Sequence, residues 1–336
     1  MRAVEIRNSF GLDNLALVDR PDPRPGPGQA LVRLRAASLN YRDLLTVEGK
    51  YNPKQKLPLI PCSDGAGEVV EIGDGVTRVQ PGDRMCVNFA QRWISGVPTR
   101  EKLRSTLGGP LDGTLAELAV FDQEGLVRIP DHLSNEEAAT LPCAALTAWT
   151  ALVAEGGITA ADTVLVQGTG GVSLFALQLA RLLGARVIVT SSRDDKLARA
   201  REMGAAEGIN YKETPEWGVR AKELTGGAGV DHVVEVGGAG TLQQSLRAVR
   251  FGGTISLIGN LAGTKTELLL TQVFMQNIRL NGILVGHRES FEAMNRAIAF
   301  HRLHPVIDQI FPLEEARAAF DHMAAGDHFG KIVIRI

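Results

Sequence analysis

Residues 164–178 read VLVQGTGGVSLFALQ. A run of branched apolar residues stops on glycines and then turns amphipathic, the pattern of a buried strand, a tight turn and a helix. The spacing nearly matches G-x-G-x-x-G, with Gly168 and Gly170 in the first two places and Ser173 in the third. In that motif the first glycine permits the turn, the second lets backbone approach a pyrophosphate, and the third packs helix against strand. The third place asks only for a small side chain, and serine is small. The loop Gly168, Thr169, Gly170, Gly171 and Val172 is therefore expected to hold a dinucleotide, because unpaired N–H groups and the dipole at a helix N-terminus favour phosphate. A tight turn without a ligand is the alternative.

Outward from this loop the pattern repeats. After Thr163 come VLVQG, SLFALQLARLLG, ARVIVTSS and DKLARAREMG, then strands in DHVVEVG and GTISLIGN and a last one in IRLNGILVG. Alternation at this spacing predicts parallel βαβ units in a Rossmann-type doubly wound sheet, an α/β fold. Before residue 125 the character differs. Short runs (ALVRLRAASLN, GAGEVVEIG, DRMCVNF) are separated by Pro, Gly and Asp clusters such as RPDPRPGPGQ, which predicts an antiparallel, strand-rich domain. Ser134 and Glu137 make a capping-box signature for a helix that Pro142 is expected to limit.

A chain of 336 residues fits two domains. Its formal net charge of -2 gives no electrostatic footprint for nucleic acid or an anionic membrane. No apolar run approaches the roughly 20 residues of a membrane span. The start, MRAVEIRN, alternates like a strand and has no signal-peptide core. Cys62, Cys86 and Cys143 are far apart with no C-x-x-C pair, so free thiols in a reducing cytoplasm are expected.

The end of the second strand of a dinucleotide fold reads the cofactor. A carboxylate there binds the ribose of NAD and repels the 2′-phosphate of NADP. Here the residues are Ser191, Ser192 and Arg193, with Lys196 shortly after. Hydroxyls and cations suit a phosphate ester, so NADP is expected; a solvated helix start is the alternative for the two cations. Tyr211, in INYK, is read either as stacking near the adenosine edge or as loop cover.

The strand-rich start, GAGEVVEIGDGV, LDGTLAELAV, LPCAALTAW, the cofactor unit and the closing FGKIVIRI together resemble the medium-chain dehydrogenase/reductases. Within them the chain is most similar to the zinc-free, quinone-oxidoreductase-like branch. The resemblance implies a GroES-like catalytic domain over residues 1–124, an NADP-binding Rossmann domain over 125–287, and a segment 288–336 returning to the catalytic domain. It also implies a cytoplasmic homodimer joined near IRLNGILVG. By the same resemblance, Asn40 and Tyr51 are the candidate donors to a substrate oxygen, with a turn cap the alternative for Asn40 and a pocket wall for Tyr51; Thr147 sits beside the nicotinamide, Val285 and Gly286 face its carboxamide, and Lys331 belongs to the cofactor site. Tyr41, Asp43 and Trp93 shape the pocket, with His287 and Arg288 next to it.

Zinc-dependent relatives take their first ligand from a Cys in a G-x-C-x-x-D-like segment; SLNYRD puts Asn40 there. Their G-H-E histidine falls on Ser63 and Asp64 of CSDGAGE, and only Cys143 falls on a ligand place. Residues 88–109 hold no cysteine for a structural zinc, and His301 with His304 lacks a third partner. Catalytic zinc needs three side-chain ligands, so no metal is expected. Without a Lewis acid, conjugated substrates fit best, because hydride added at the β carbon puts charge on an enolate oxygen that ordinary donors stabilise. The expected activity is NADPH-dependent reduction of quinones or α,β-unsaturated carbonyls, with no general acid assigned and solvent as a proton source. A zinc-free alcohol dehydrogenase and a non-catalytic NADPH-binding protein are the alternatives.

Overall fold

In this computed structural model, which describes residues 1–336, the alternation after Thr163 becomes six strands: Thr163–Gln167, Arg186–Ser191, Glu207–Asn210, Val230–Glu235, Val249–Leu257 and Arg279–Gly282. Every neighbouring pair is parallel, and the spatial order is third, second, first, fourth, fifth, sixth. The central strands are apolar on both faces, with Leu165, Ile188, Val233 and Ile255 buried on one and Val166, Val189 and Val234 on the other, as helices on both sides of a parallel sheet require. The strand order reverses between the first and fourth strands, and such a switch point opens a crevice at their carboxyl ends. The strand Glu207–Asn210 was not read from the sequence. EGIN is short and polar because it lies at the sheet edge.

The chain divides into two units, residues 147–284 and residues 1–146 with 285–336. The second of these is built on a seven-stranded sheet running Ile307–Pro312, Lys331–Arg335, Gln29–Ser38, Asp64–Ile72, Arg84–Val87, Leu126–Arg128, with Leu118–Asp122 also paired to Gln29–Ser38. All its pairs are antiparallel except the first. The last strand sets Val333 opposite Ser38, which carries the chain's end back to its beginning. Residues 125–146 pack in this unit, since Leu126–Arg128 extends the sheet and the Cys86 thiol donates to Ala138 O.

The capping box is present: Ser134 Oγ accepts from Glu137 N and Glu137 Oε2 from Ser134 N. Pro142 lies beyond the helix that the box opens, Asn135–Ala138, which ends before it as expected. It enters within the first two residues of a π-helical turn, Leu141–Ala145, and helix resumes at Leu146–Trp149. A first turn needs no N–H from its residues, so proline there breaks no bond.

The segment leading into Asp64–Ile72 is strained. Cys62 is buried with φ at 72°, a left-handed conformation that side chains disfavour. Gly113 lies against it, donating its N–H to Ile60 O at 2.7 Å. A Cβ on Gly113 would stand 2.0 Å from Cys62 O and 2.3 Å from Pro61 O, both backbone atoms that cannot swing away. Gly113→Ala is therefore expected to cost at least about 2 kcal/mol of stability in urea unfolding, within the range for overpacking. A neutral result would show that residues 60–62 yield easily.

Candidate functional site

In the unit holding both chain ends, the turn after Gln29–Ser38 gathers the ionisable groups. Asn40 N donates to Asp43 Oδ2 at 2.8 Å and begins the helix Tyr41–Val47. Asp43 is fully buried, and its Oδ1 accepts from Arg42 Nη1 at 3.1 Å. Arg42 also donates to Leu107 O and Gly109 O, and its guanidinium lies 4.9 Å over the Tyr51 ring and 5.3 Å over that of Phe89. Tyr51 itself is 48% exposed, so its ring rests on a fixed cation rather than in a core.

Asp64, also fully buried, accepts from Ser63 Oγ at 2.9 Å and Cys143 N at 3.1 Å. Lys331 is only 3% exposed; its ammonium donates to Leu39 O at 2.5 Å and Asn40 Oδ1 at 2.6 Å. Burial pushes the Asp43 carboxyl up to about 6, against the pull of Arg42. Burial raises Asp64 as well, opposed by Lys331, the Asn40 amide and Ser63. It also pushes the Cys143 thiol up.

Asn40, Asp43, Asp64, Cys143 and Lys331 thus form one buried cluster, with Tyr51 attached through Arg42. Lys331, which the resemblance assigns to the cofactor site, donates in this unit to Asn40 Oδ1 and Leu39 O. The proposed pocket residues have other work. Trp93 Nε1 is bonded to Gly96 O, His287 Nδ1 caps the helix Arg288–His301 by accepting from Ser290 N, and Arg288 pairs with Glu124. Tyr41 is exposed, and His304 is bonded to Glu137. No group of three or more His, Cys, Asp or Glu side chains stands ready to hold a metal ion. Val285, next to Gly286, has φ at 45°, an outlier for a β-branched residue of the kind that clusters at functional sites.

In the unit 147–284, Gly168 has φ at 72° and donates to Thr190 O at 2.7 Å, so the turn requires glycine. A Cβ on Gly168 or Gly170 would meet nothing within 4 Å, and no side chain caps the helix Gly171–Leu182. Open space over uncapped N–H groups fits a pyrophosphate on Gly170, Gly171 and Val172. Ser173 Oγ donates to Gln167 O at 2.6 Å, so the third motif place ties the helix to the strand. Thr169 and Thr147 are buried in this unit.

At the end of the second strand, Ser191 is buried, its Oγ accepting from Arg193 N and its carbonyl from Tyr211 N. Ser192 follows, partly exposed. Arg193 forks onto Asp195 at 2.9 and 2.7 Å, an exposed pair worth at most about 1 kcal/mol and cheap to redirect. Lys196 is buried on the next helix rather than facing solvent, and Tyr211 is partly exposed.

The sequence reading missed Glu235. It ends the fourth strand fully buried and accepts from Gly237 N at 2.8 Å, Gly238 N at 2.9 Å, Thr241 Oγ1 at 2.5 Å, Gln167 Nε2 at 2.6 Å, and Ser245 Oγ. Gln167 Oε1 accepts from Val236 N and Gly237 N in return. The two strand ends that flank the switch point are therefore joined by one network. The available signal was a carboxylate closing an apolar strand just before glycines.

Residues 26–131 match the alcohol dehydrogenase GroES-like domain, and residues 171–299 match the family described as zinc-binding dehydrogenase. The chain is 43% identical to a zinc-type alcohol dehydrogenase-like protein of Schizosaccharomyces pombe, over 97% of this chain and 96% of that one. It is 31% identical to crotonyl-CoA reductase of Streptomyces collinus, over 98% and 83%. Among solved structures, an NAD-dependent alcohol dehydrogenase superposes with a TM-score of 0.92 at 35% identity, all of both chains being covered. A mycobacterial protein solved with NADPH does so with 0.83 at 27%, again over the whole of both.

The raised Asp43 carboxyl carries a pH signature. Its ordinary value is 3.8 and its folded value about 6, so between them the folded chain binds more proton than the unfolded one. Its contribution favours folding below pH 3.8 and is lost as pH rises through about 6, a swing on the order of 3 kcal/mol. In urea unfolding from pH 4 to 7, Asp43→Asn should lose this part of the slope. Parallel stability curves for variant and wild type would show that Asp43 titrates normally.

Proposed function

The chain belongs to the medium-chain dehydrogenase/reductase superfamily, and from that premise we propose that it is a zinc-free, NADPH-dependent reductase of quinones or α,β-unsaturated carbonyls. Superfamily membership makes it an oxidoreductase with a nicotinamide cofactor. The observation that carries the finer reading is the Lys331 ammonium against Asn40 Oδ1. A zinc ion would need a free lone pair there, and this one already faces a positive charge. The other side chains of the set are the Ser63 hydroxyl, spent on Asp64, the Asp64 carboxylate, which already accepts from Ser63 Oγ and Cys143 N, and a single thiol, Cys143. These residues do not fit a zinc ion.

When bound, the nicotinamide supplies a hydride. The chain's own part is to hold the cofactor on the Gly168–Val172 loop and to offer donors to a substrate oxygen. Asn40 and Tyr51 are those donors, one from the buried cluster and one from the Arg42 stack. A conjugated carbonyl spreads the developing charge into an enolate, which such neutral donors stabilise. The relative named crotonyl-CoA reductase supports this substrate class. An alcohol dehydrogenase is the second reading, favoured by the names of the fission-yeast relative and the NAD-dependent structure.

NADPH is favoured by Ser191 in the place of a ribose-binding acid and by Arg193, whose partner Asp195 is exposed and easily exchanged for phosphate. We also propose a homodimer through the edge strand Arg279–Gly282, which pairs on one side only and lies near the exposed Leu269, Leu270, Phe274 and Met275 in sequence. The three free thiols suit the reducing compartment proposed for it. No helix is long and apolar enough to cross a membrane.

The deciding assay follows NADPH oxidation with a panel of quinones and enones, and NADP reduction with simple alcohols, on one preparation analysed for metal and solution mass. Turnover with the conjugated panel, no stoichiometric zinc, indifference to chelator and a mass twice that of the chain are expected. Alcohol oxidation lost with chelated zinc would favour the second reading.

Ser191→Asp tests the cofactor. The wild type should prefer NADPH, and the new carboxylate should oppose the 2′-phosphate while accepting hydrogen bonds from a free ribose. Losing one charge-assisted bond of about 1.5–3 kcal/mol corresponds to roughly ten- to a hundredfold in kcat/KM for NADPH. Equal use of NADH by the wild type would sink this reading of the loop.

A further inference from the structure

Lys331 sits deep in its unit, yet it makes no ion pair within 4 Å; its two bonds go to neutral oxygens, Leu39 O at 2.5 Å and Asn40 Oδ1 at 2.6 Å. An ammonium has only donors, so its contact decides which end of the Asn40 amide faces it. The carbonyl must point to Lys331, and the N–H2 must point away. The main chain of Asn40 is fixed independently by its N–H on Asp43, so the amide cannot leave the contact by moving its backbone. Asn40 Nδ2 is buried and makes no hydrogen bond of good geometry, the acceptor it faces being the Asp64 carboxylate. A desolvated donor left so poorly bonded is uncommon in native proteins and calls for a reason. Here a lysine from residue 331 holds it in that condition.

We propose that Lys331 is a positioning residue: through Asn40 Oδ1 it locks the amide so that Nδ2, and not the carbonyl, is offered to the substrate oxygen that gains charge. The inference rests on the reading of Asn40 as an oxyanion donor. It differs from a cofactor-binding role for Lys331, because its effect on turnover travels through the orientation of Asn40, whereas its part in balancing Asp64 is the same in every Asn40 background. Without the ammonium the amide can turn over and present a carbonyl, which repels a developing oxyanion. A fixed orientation also removes reorganisation at the moment of reaction.

The test is a double-mutant cycle in the holoenzyme with NADPH and a reducible quinone or enone. Asn40→Ala should lower kcat about a hundredfold, the usual range for an oxyanion donor. Lys331→Met, similar in length but without a donor, should lower kcat about tenfold with Asn40 present and less than about twofold in the Asn40→Ala background. Lys331→Gln keeps a donor and should recover part of the loss, which also covers a Lys331→Met chain that fails to fold. Asn40→Asp keeps an acceptor for the ammonium but has no N–H, and should fall like Asn40→Ala. Multiplicative losses in kcat, or a rise in KM for NADPH that is the same in both backgrounds, would overturn the role of Lys331 and leave the donor reading intact. An Asn40→Ala variant with unchanged kcat would remove both.

Discussion

Two carboxylates, Asp43 and Asp64, have no exposure at all, and the rest of their unit is arranged to make that tolerable. Removing a charge from water costs several kcal/mol even after relaxation, so each needs fixed dipoles or cations. Arg42 supplies one cation through a direct bond, and Lys331 supplies the other from within the cluster. The two cations lie nearly 290 positions apart in sequence. The closing strand can deliver Lys331 only in the register that sets Val333 against Ser38 and Ile334 against Ala37. A slip of one residue would send the lysine to the other face of the sheet. Charge balance and strand register thus select the same structure.

The nucleotide-binding unit solves a related problem without a cation. Glu235 is buried at the carboxyl end of a parallel strand, and five donors surround it. Two are backbone N–H groups of the following glycines, so the carboxylate shapes the loop as the loop satisfies it. Gln167 uses both ends of its amide in the same network and stands immediately before the glycine turn. A change at either residue would strand buried polar atoms at both strand ends, because a partly satisfied network is worse than an apolar one.

What the sequence made legible was whatever local chemistry decides. The Gly168 turn, the parallel alternation and the Ser134 capping box depend on neighbours a few residues away. The substitution of Ser173 for glycine was read through its size, and the structure adds a hydrogen bond that size did not reveal. The unread features depend on distant partners. Lys331 in FGKIVIRI looks like the first residue of a strand, and nothing nearby marks Asn40 as its acceptor. Arg193 looks like a free cation until Asp195 is seen to occupy its fork. Pro142 reads as a stop signal and the helix does end before it, but nothing local foretells the π-helical turn that it enters.

The zinc-free reading proposed for this chain turns on one buried cluster, and its charges can be counted. Asp43 and Asp64 bring two negative charges when ionised; the Arg42 guanidinium and Lys331 ammonium bring two positive ones. Asn40, Ser63 and a protonated Cys143 add none. The buried set is then balanced as it stands. A divalent ion added to a set whose charges already cancel would leave an uncompensated double charge among buried groups, a cost that few weak donors offset. A cysteinate at residue 40 would attract the same ammonium but would add a third buried negative charge to a set that Arg42 and Lys331 only just balance. Amide and lysine therefore form one choice, and changing either alone leaves the cluster worse than it began.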